Sequence, residues 1–345
     1  MQPSEPTADA PTLADLGWQP FFASQVTAQE AETCQPVRVT ALYRGLVTVT
    51  GEGVDQLIGS RLAESRGDED RATVGDWLLI DRETLAVVRI LDRTSLFKRP
   101  APGDDRRLQL IAANVDTLFI VTSCNDDFNI ARLERYLVLA REAEVTPVVV
   151  LTKIDLADDP EHFRAQALAL QPGLEVELVN ARDPHSVARL ASRCGEGHTV
   201  ALLGSSGVGK STLVNTLRGT DSITTQSVRD HDDKGRHTTT VRAMHRLAGG
   251  GWLIDAPGMR EFRIADAPTG IAEVFDDIAA LVLECRFTNC THVSEPGCAI
   301  QAAIAGGTLE PARLARWAKL AAEDEMGTAQ QATRKARVGK PGKRN

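Results

Sequence analysis

The sequence predicts a multidomain chain: a small N-terminal β-barrel, a central α/β domain on a parallel sheet, and an α-rich C-terminal domain around a metal-ligand cluster. Three observations predict it. Between residues 37 and 98, short stretches alternate apolar and polar side chains with the period of strands. From residue 110 to 265, apolar strands alternate with segments of helical spacing, the pattern of a parallel sheet covered on both faces. Beyond them, three cysteines and a histidine crowd into fourteen residues.

Bulk properties narrow the classes. The 345 residues are 42% hydrophobic and 25% charged, as in an ordinary globular protein. No run approaches the ~18 apolar residues of a membrane span. No Lys or Arg precedes Arg38, so the basic start of a signal peptide is missing and a cytoplasmic protein is expected. A net charge of −8 argues against a uniformly basic nucleic-acid binder. Local charge differs: residues 326–345 hold Arg334, Lys335, Arg337, Lys340, Lys343 and Arg344 with no acidic residue, and read as a disordered basic tail.

Residues 1–36 read as a mobile N-terminal extension with one apolar patch, "LADLGWQPFFASQV", suited to a short docking helix. "VRVTALYRGLVTVT" and "VGDWLLIDRETLAVVRIL" each read as two strands and a turn, which places a barrel of the SH3 or OB kind at 37–98. "SLFKRPAPGDDRRLQ" reads as a linker. The α/β domain, 110–265, takes its strands from "VDTLFIVTS", "VTPVVVLTK", "LEVELVNA" and "HTVALLGSSG". The C-terminal domain spans 270–325 and includes the helical "ARLARWAKLAAEDE".

"GSSGVGKS" fits G-x-x-x-x-G-K-[S/T] from Gly204 to Ser211, between an apolar strand and a helical segment. Gly204, Gly207 and Gly209 let the main chain wrap phosphate oxygens. Lys210 neutralises the β- and γ-phosphates, and the Ser211 hydroxyl suits Mg2+. "WLIDAPGMREF" ends a strand in Asp255-Ala-Pro-Gly258, where the Asp holds Mg2+ through water and the Gly258 N–H meets the γ-phosphate. Between the two lies a polar, aperiodic stretch expected to give Mg2+ a threonine, Thr239 first and Thr238 second.

"TKID" supplies Asp155, whose carboxylate accepts from guanine N1–H and N2–H2, groups that adenine lacks. The stem of Lys153 packs along the base. "VNAR" places Ala181 to offer its N–H to guanine O6. The base reader precedes the phosphate loop, the reverse of the usual order. Each motif still ends a parallel strand, so a circular permutation preserves the site.

Cys34, Cys124 and Cys194 are scattered, whereas "CRFTNCTHVSEPGC" gives C-x4-C-x-H-x5-C. Cys285, Cys290, His292 and Cys298 suit one tetrahedral, structural Zn2+.

Together these motifs, with "QLIAANVD" at 109–116 and "GRHTTT" at 235–240, resemble the bacterial ribosome small-subunit-dependent GTPase A family across nearly the whole chain. The resemblance implies an OB-fold barrel, a circularly permuted P-loop GTPase domain and a zinc-binding domain. It implies a monomer that binds the 30S subunit and 16S rRNA late in maturation, hydrolyses GTP under stimulation by the subunit, and leaves. GTP or GDP would touch Thr152, Lys153 and Asp155, and also Gly204, Ser205, Ser206, Gly207, Val208, Gly209, Lys210, Ser211 and Thr212. Two features depart from common GTPases. Thr152 stands where the base reader usually has Asn, so weaker guanine binding is expected. Met259 stands where many GTPases place a water-orienting Gln, so intrinsic hydrolysis is expected to be slow, with His237 orienting the water once a partner is bound. The rival readings are an assembly GTPase for a different RNA particle, a nucleotide-gated RNA-binding module, and an ATPase, which Asp155 disfavours.

Overall fold

The computed structural model describes residues 11–43, 45–59, 70–100, 108–219, 242–255, 264 and 267–338. Strand β1 (Cys34–Leu42) pairs antiparallel with β2 (Leu46–Gly51) along one half and with β4 (Trp77–Asp81) along the other. Strands β3 (Val54–Gly59) and β5 (Val87–Ile90) extend the order to β3-β2-β1-β4-β5. Alternation along β4 divides two cores. Leu78 and Ile80 join Val37, Val39, Val47 and Val49 inside the barrel, while Trp77 and Leu79 face the other way.

That outer face explains the N-terminal segment. The extension at 1–36 was expected to be mobile apart from a short docking helix in its apolar patch; over residues 11–33 that docking is observed. Leu16 and Phe22 are buried, and Trp18 meets Trp77 edge-on at 4.8 Å. Burying each such side chain is worth about 1.5–3 kcal/mol. Helices α1 (Pro20–Ala23) and α2 (Ala28–Thr33) follow, the second started by a Thr27–Glu30 capping box. The fully buried Arg38 guanidinium donates to Leu16 O, to Gly75 O at 3.3 Å and to Asn114 O at 3.1 Å. One cation therefore satisfies carbonyls from three segments. Burial lowers its pKa to about 10, which leaves it charged at neutral pH.

The expected linker at 95–109 also differs. Strands β6 (Leu96–Pro100) and β7 (Leu108–Ala113) form an antiparallel ribbon there. Phe97 buries its ring opposite Ala112, which holds a ribbon that the Pro and charge content of the stretch conceals.

The α/β domain contains β8 (Thr117–Ser123), α3 (Ile130–Glu142), β9 (Thr146–Thr152), α4 (Pro160–Leu168), β10 (Glu175–Leu178), α5 (Pro184–Val187), β11 (Thr199–Leu203), α6 (Lys210–Arg218), β12 (Arg242–Arg246) and β13 (Trp252–Asp255). The order is β10-β9-β8-β11-β13-β12, parallel except for β12. Both faces are buried: Leu118 and Ile120 enter one core, Phe119 and Val121 the other. Strand β12 also pairs with β1, so one sheet runs from this domain into the barrel.

Four helices complete the described chain: α7 (Pro268–Val274), α8 (Asp276–Leu283), α9 (Ala299–Ala305) and α10 (Pro311–Val338). Helix α7 lies close on α3 at Gly270, where an added Cβ would stand 2.3 Å from Val138 O. The first part of the expected disordered tail is helical, because α10 runs on to Val338. Its Ala, Gln, Lys and Arg residues are good helix formers, so basic composition does not end the helix. No helix among the described residues is long and apolar enough to cross a membrane.

Candidate functional site

Parallel register aligns the strand ends. Ser123 sits opposite Thr152, Leu178 opposite Leu151, Leu203 opposite Ile120, and Ile254 opposite Ala201. The loops after β8, β9, β10, β11 and β13 therefore leave one edge of the sheet, where open α/β folds bind ligands.

The phosphate loop follows β11. At Gly204 a Cβ would lie 2.1 Å from Val121 O, so only glycine permits this approach to β8. Gly207 and Gly209 have φ of +81° and +99°, in the left-handed region, and Gly209 caps α6. Lys210 folds back over the loop and donates from Nζ to Gly204 O at 2.8 Å and to Ser205 O. Ser206 is exposed, Val208 is buried, and Ser211 and Thr212 lie half-buried on the first turn of α6. The N-terminal end of α6, with the partial positive charge of its first turn, faces this loop, an arrangement suited to an anion.

The other two loops are tied to it. Thr152 is fully buried, and its hydroxyl points at Thr122 O (3.1 Å) and at Val208 O of the phosphate loop. The expectation of an incomplete stand-in for Asn is thereby refined: the shorter side chain still joins the base-reading and phosphate loops. Lys153 turns the chain with a φ of +58° into a 3-10 turn, Ile154–Leu156, which leaves Asp155 exposed at the edge. The third loop is tied through α6, where Thr216 Oγ1 donates to Ala181 O at 2.7 Å. Thr216 was not singled out from the sequence, since one more threonine in a helix carries no spacing signal.

Asp255 ends β13 between β11 and β12, its main chain opposite Ala243. His237, Thr238, Thr239, Gly258 and Met259 lie outside the described residues.

The Cys285, Cys290, His292 and Cys298 donor atoms all lie within 4.8 Å of one another. A tetrahedral ion with bonds of about 2.3 Å to sulfur and 2.0–2.1 Å to nitrogen needs S···S near 3.8 Å and S···N near 3.6 Å. Cys285 Sγ stands 3.6 Å from His292 Nδ1 and 3.9 Å from Cys298 Sγ, and Cys298 Sγ stands 3.7 Å from His292 Nδ1. These four residues fit one ion. His292 is fixed by a φ of +61° and by Gln301 Nε2, which donates to its carbonyl at 2.6 Å. Burial pushes the Cys290 thiol up to about 11. Burial opposes ionisation of Cys285 too, but main-chain N–H groups of Ala299 and Ile300 outweigh it and the net shift is downward.

Thr152→Val keeps the shape and removes the donor, whose single proton serves either Thr122 O or Val208 O, so one buried carbonyl loses its partner. Titration with fluorescent GDP should show affinity about 5–20-fold weaker, the equivalent of about 1–1.8 kcal/mol. Unchanged affinity would mean that the two loops hold each other by other means.

With the geometry in view, comparison with known proteins is direct. The RsgA GTPase family profile matches residues 90–265. A small ribosomal subunit biogenesis GTPase, RsgA, of Mesorhizobium japonicum is 50% identical over 325 residues, 93% of this chain and 92% of that protein. RsgA 2 of Vibrio parahaemolyticus is 47% identical over 332 residues, 96% and 91% of the two chains. Among solved structures, YloQ, described as a circularly permuted GTPase, aligns with a TM-score of 0.59 at 25% identity, covering 85% of this chain and 95% of that one. YjeQ from Thermotoga maritima shares the fold, with a TM-score of 0.60 at 22% identity over 83% and 97% of the two chains. The strand-end loops, their permuted order and these likenesses agree: the chain belongs to the RsgA GTPase family of circularly permuted GTP hydrolases.

Proposed function

We propose that this GTPase binds the 30S ribosomal subunit late in its maturation, is stimulated by it, and leaves once GTP is hydrolysed. The observation that carries the reading is the near full-length likeness to proteins named small ribosomal subunit biogenesis GTPases, joined to a site whose base, phosphate and O6 loops share one sheet edge. Lys210 meets the β- and γ-phosphates, Asp155 reads the base, and the Ala181 N–H meets guanine O6. Ser211, Thr239 and Asp255 serve the Mg2+ that accompanies GTP, which supplies charge neutralisation at the phosphates. Gly258 contacts the γ-phosphate. Met259 cannot hydrogen-bond water in the role of a catalytic Gln, so His237 takes that role once the subunit is bound. Supplying one missing group in this way is worth about 10³–10⁵ in kcat in well-studied GTPases.

The cluster at 285–298 is a closed structural zinc site, and it holds α8, α9 and α10 in place. Barrel, zinc domain and basic C-terminal residues grip 16S rRNA, a salt-dependent contact. A cytoplasmic monomer suits that partner. Met259 favours a second reading, a nucleotide-gated RNA-binding module whose hydrolysis is incidental.

GTP turnover alone, with 30S and with 50S subunits separates the two. The proposal expects at least a hundredfold stimulation by 30S only, lost in His237→Ala; no stimulation by either particle would favour the binding module. Elemental analysis should find one zinc per chain, and its removal by a chelator should make the α8–α10 region protease-sensitive. A chain purified without zinc yet equally resistant would contradict the metal assignment.

A further inference from the structure

Helix α3 touches both the C-terminal helices and the phosphate loop. Its Glu134 is fully buried and receives Arg316 of α10 at 2.6 Å and Arg313 at 3.3 Å. Arg135 donates both terminal nitrogens to Glu323 of α10, at 2.5 and 2.6 Å. Glu142 accepts the Gly270 N–H of α7 at 2.9 Å. These ties anchor α3 along its length. Tyr136, turned about 100° round the helix from Arg135, serves another neighbour. Its phenol hydroxyl shares a hydrogen bond with the side chain of Ser205, the second residue of the phosphate loop.

Packing does not require that hydroxyl. Leu133, Leu137, Val138 and Ala140 already give α3 its apolar face, and a Phe ring would fill the place of Tyr136, itself 9% exposed. Burial outweighs the nearby Arg132 and holds the phenol above its ordinary pKa, so it keeps its proton at neutral pH and can donate. The loop needs a hold at this point. Gly204 is seated against Val121 O and Val208 O is reached by Thr152, but Ser206 and Gly207 between them are exposed. Ser205 O accepts from Lys210, a donor that the phosphates also claim. The Tyr136 contact has no such second claim, because it uses the Ser205 hydroxyl and no main-chain N–H. A loop held in this way has less freedom to lose when a nucleotide binds.

We propose that Tyr136 is a positioning residue for the nucleotide: through Ser205 it holds the first part of the phosphate loop in its binding shape, from a helix anchored elsewhere. The proposal rests on the reading of residues 204–212 as the phosphate loop.

The test uses the purified full-length chain with Mg2+. Affinities for GDP and for a non-hydrolysable GTP analogue are measured for the wild type, Tyr136→Phe, Ser205→Ala, the double variant and Lys210→Ala, each with its melting temperature. Tyr136→Phe keeps the ring and removes the hydroxyl. It and Ser205→Ala should each weaken both nucleotides about fivefold, since GDP and GTP share the phosphates nearest the loop. The double variant should also lose only about fivefold, because one bond is broken once. Losses that multiply to about 25-fold, or a loss confined to one single variant, would show the two hydroxyls acting apart and overturn the proposal. If Lys210→Ala binds about a hundredfold more weakly while Tyr136→Phe stays within about twofold, whatever its melting temperature, the proposal alone falls. If Lys210→Ala also stays within about twofold, the phosphate-loop reading is wrong and the proposal falls with it.

Discussion

A guanine nucleotide is read at its base and at its phosphates by loops distant in sequence, so those loops must leave one edge of one rigid sheet. The parallel pairing of β8, β9, β10, β11 and β13 meets that demand. Chain connectivity is free so long as the pairing holds. Hydrogen bonds of the ladder depend on which strands lie side by side, and not on which comes first. This is why the base reader can precede the phosphate loop without loss of the site.

Alignment at an edge brings the loops near one another, and buried hydroxyls then fix them. Thr152 ties its loop to Val208, and Thr216 ties α6 to Ala181. Each is a modest interaction of about 1 kcal/mol net, but an orphaned buried carbonyl costs about 1–3 kcal/mol. The three loops therefore keep their relative positions before nucleotide arrives, which lowers the ordering cost of binding. The same logic recurs at a larger scale, where Arg38 joins the N-terminal segment, the barrel and the entrance to the α/β domain through three carbonyls.

The parts of the site that were legible in the sequence are those in which chemistry fixes residue type and spacing together. Only glycine fits against Val121 O at position 204, and four soft ligands at one spacing leave few alternatives. The misread parts depend on partners far along the chain. The patch carrying Leu16 and Phe22 was legible as a docking segment, but its seat against Trp77, turned outward from the barrel, was not. The ribbon of β6 and β7 was hidden by Pro and charge, residues that mark loops on average but here flank a buried Phe97. For Thr152 the sequence supplies only its length against Asn, while the two carbonyls its hydroxyl reaches are a property of the fold.

The central claim is that Asp155, carried on the loop after β9, selects guanine for a phosphate loop that follows it in the chain. Competitive binding of GTP, ATP and XTP to the wild type and to Asp155→Asn tests it most directly. Asn presents a donor where guanine also presents one, and xanthine presents an acceptor. The account predicts that the wild type prefers GTP by at least about 10³-fold over ATP, and that Asp155→Asn moves the preference to XTP. A variant that still prefers GTP, or a wild type that binds ATP equally well, would contradict it.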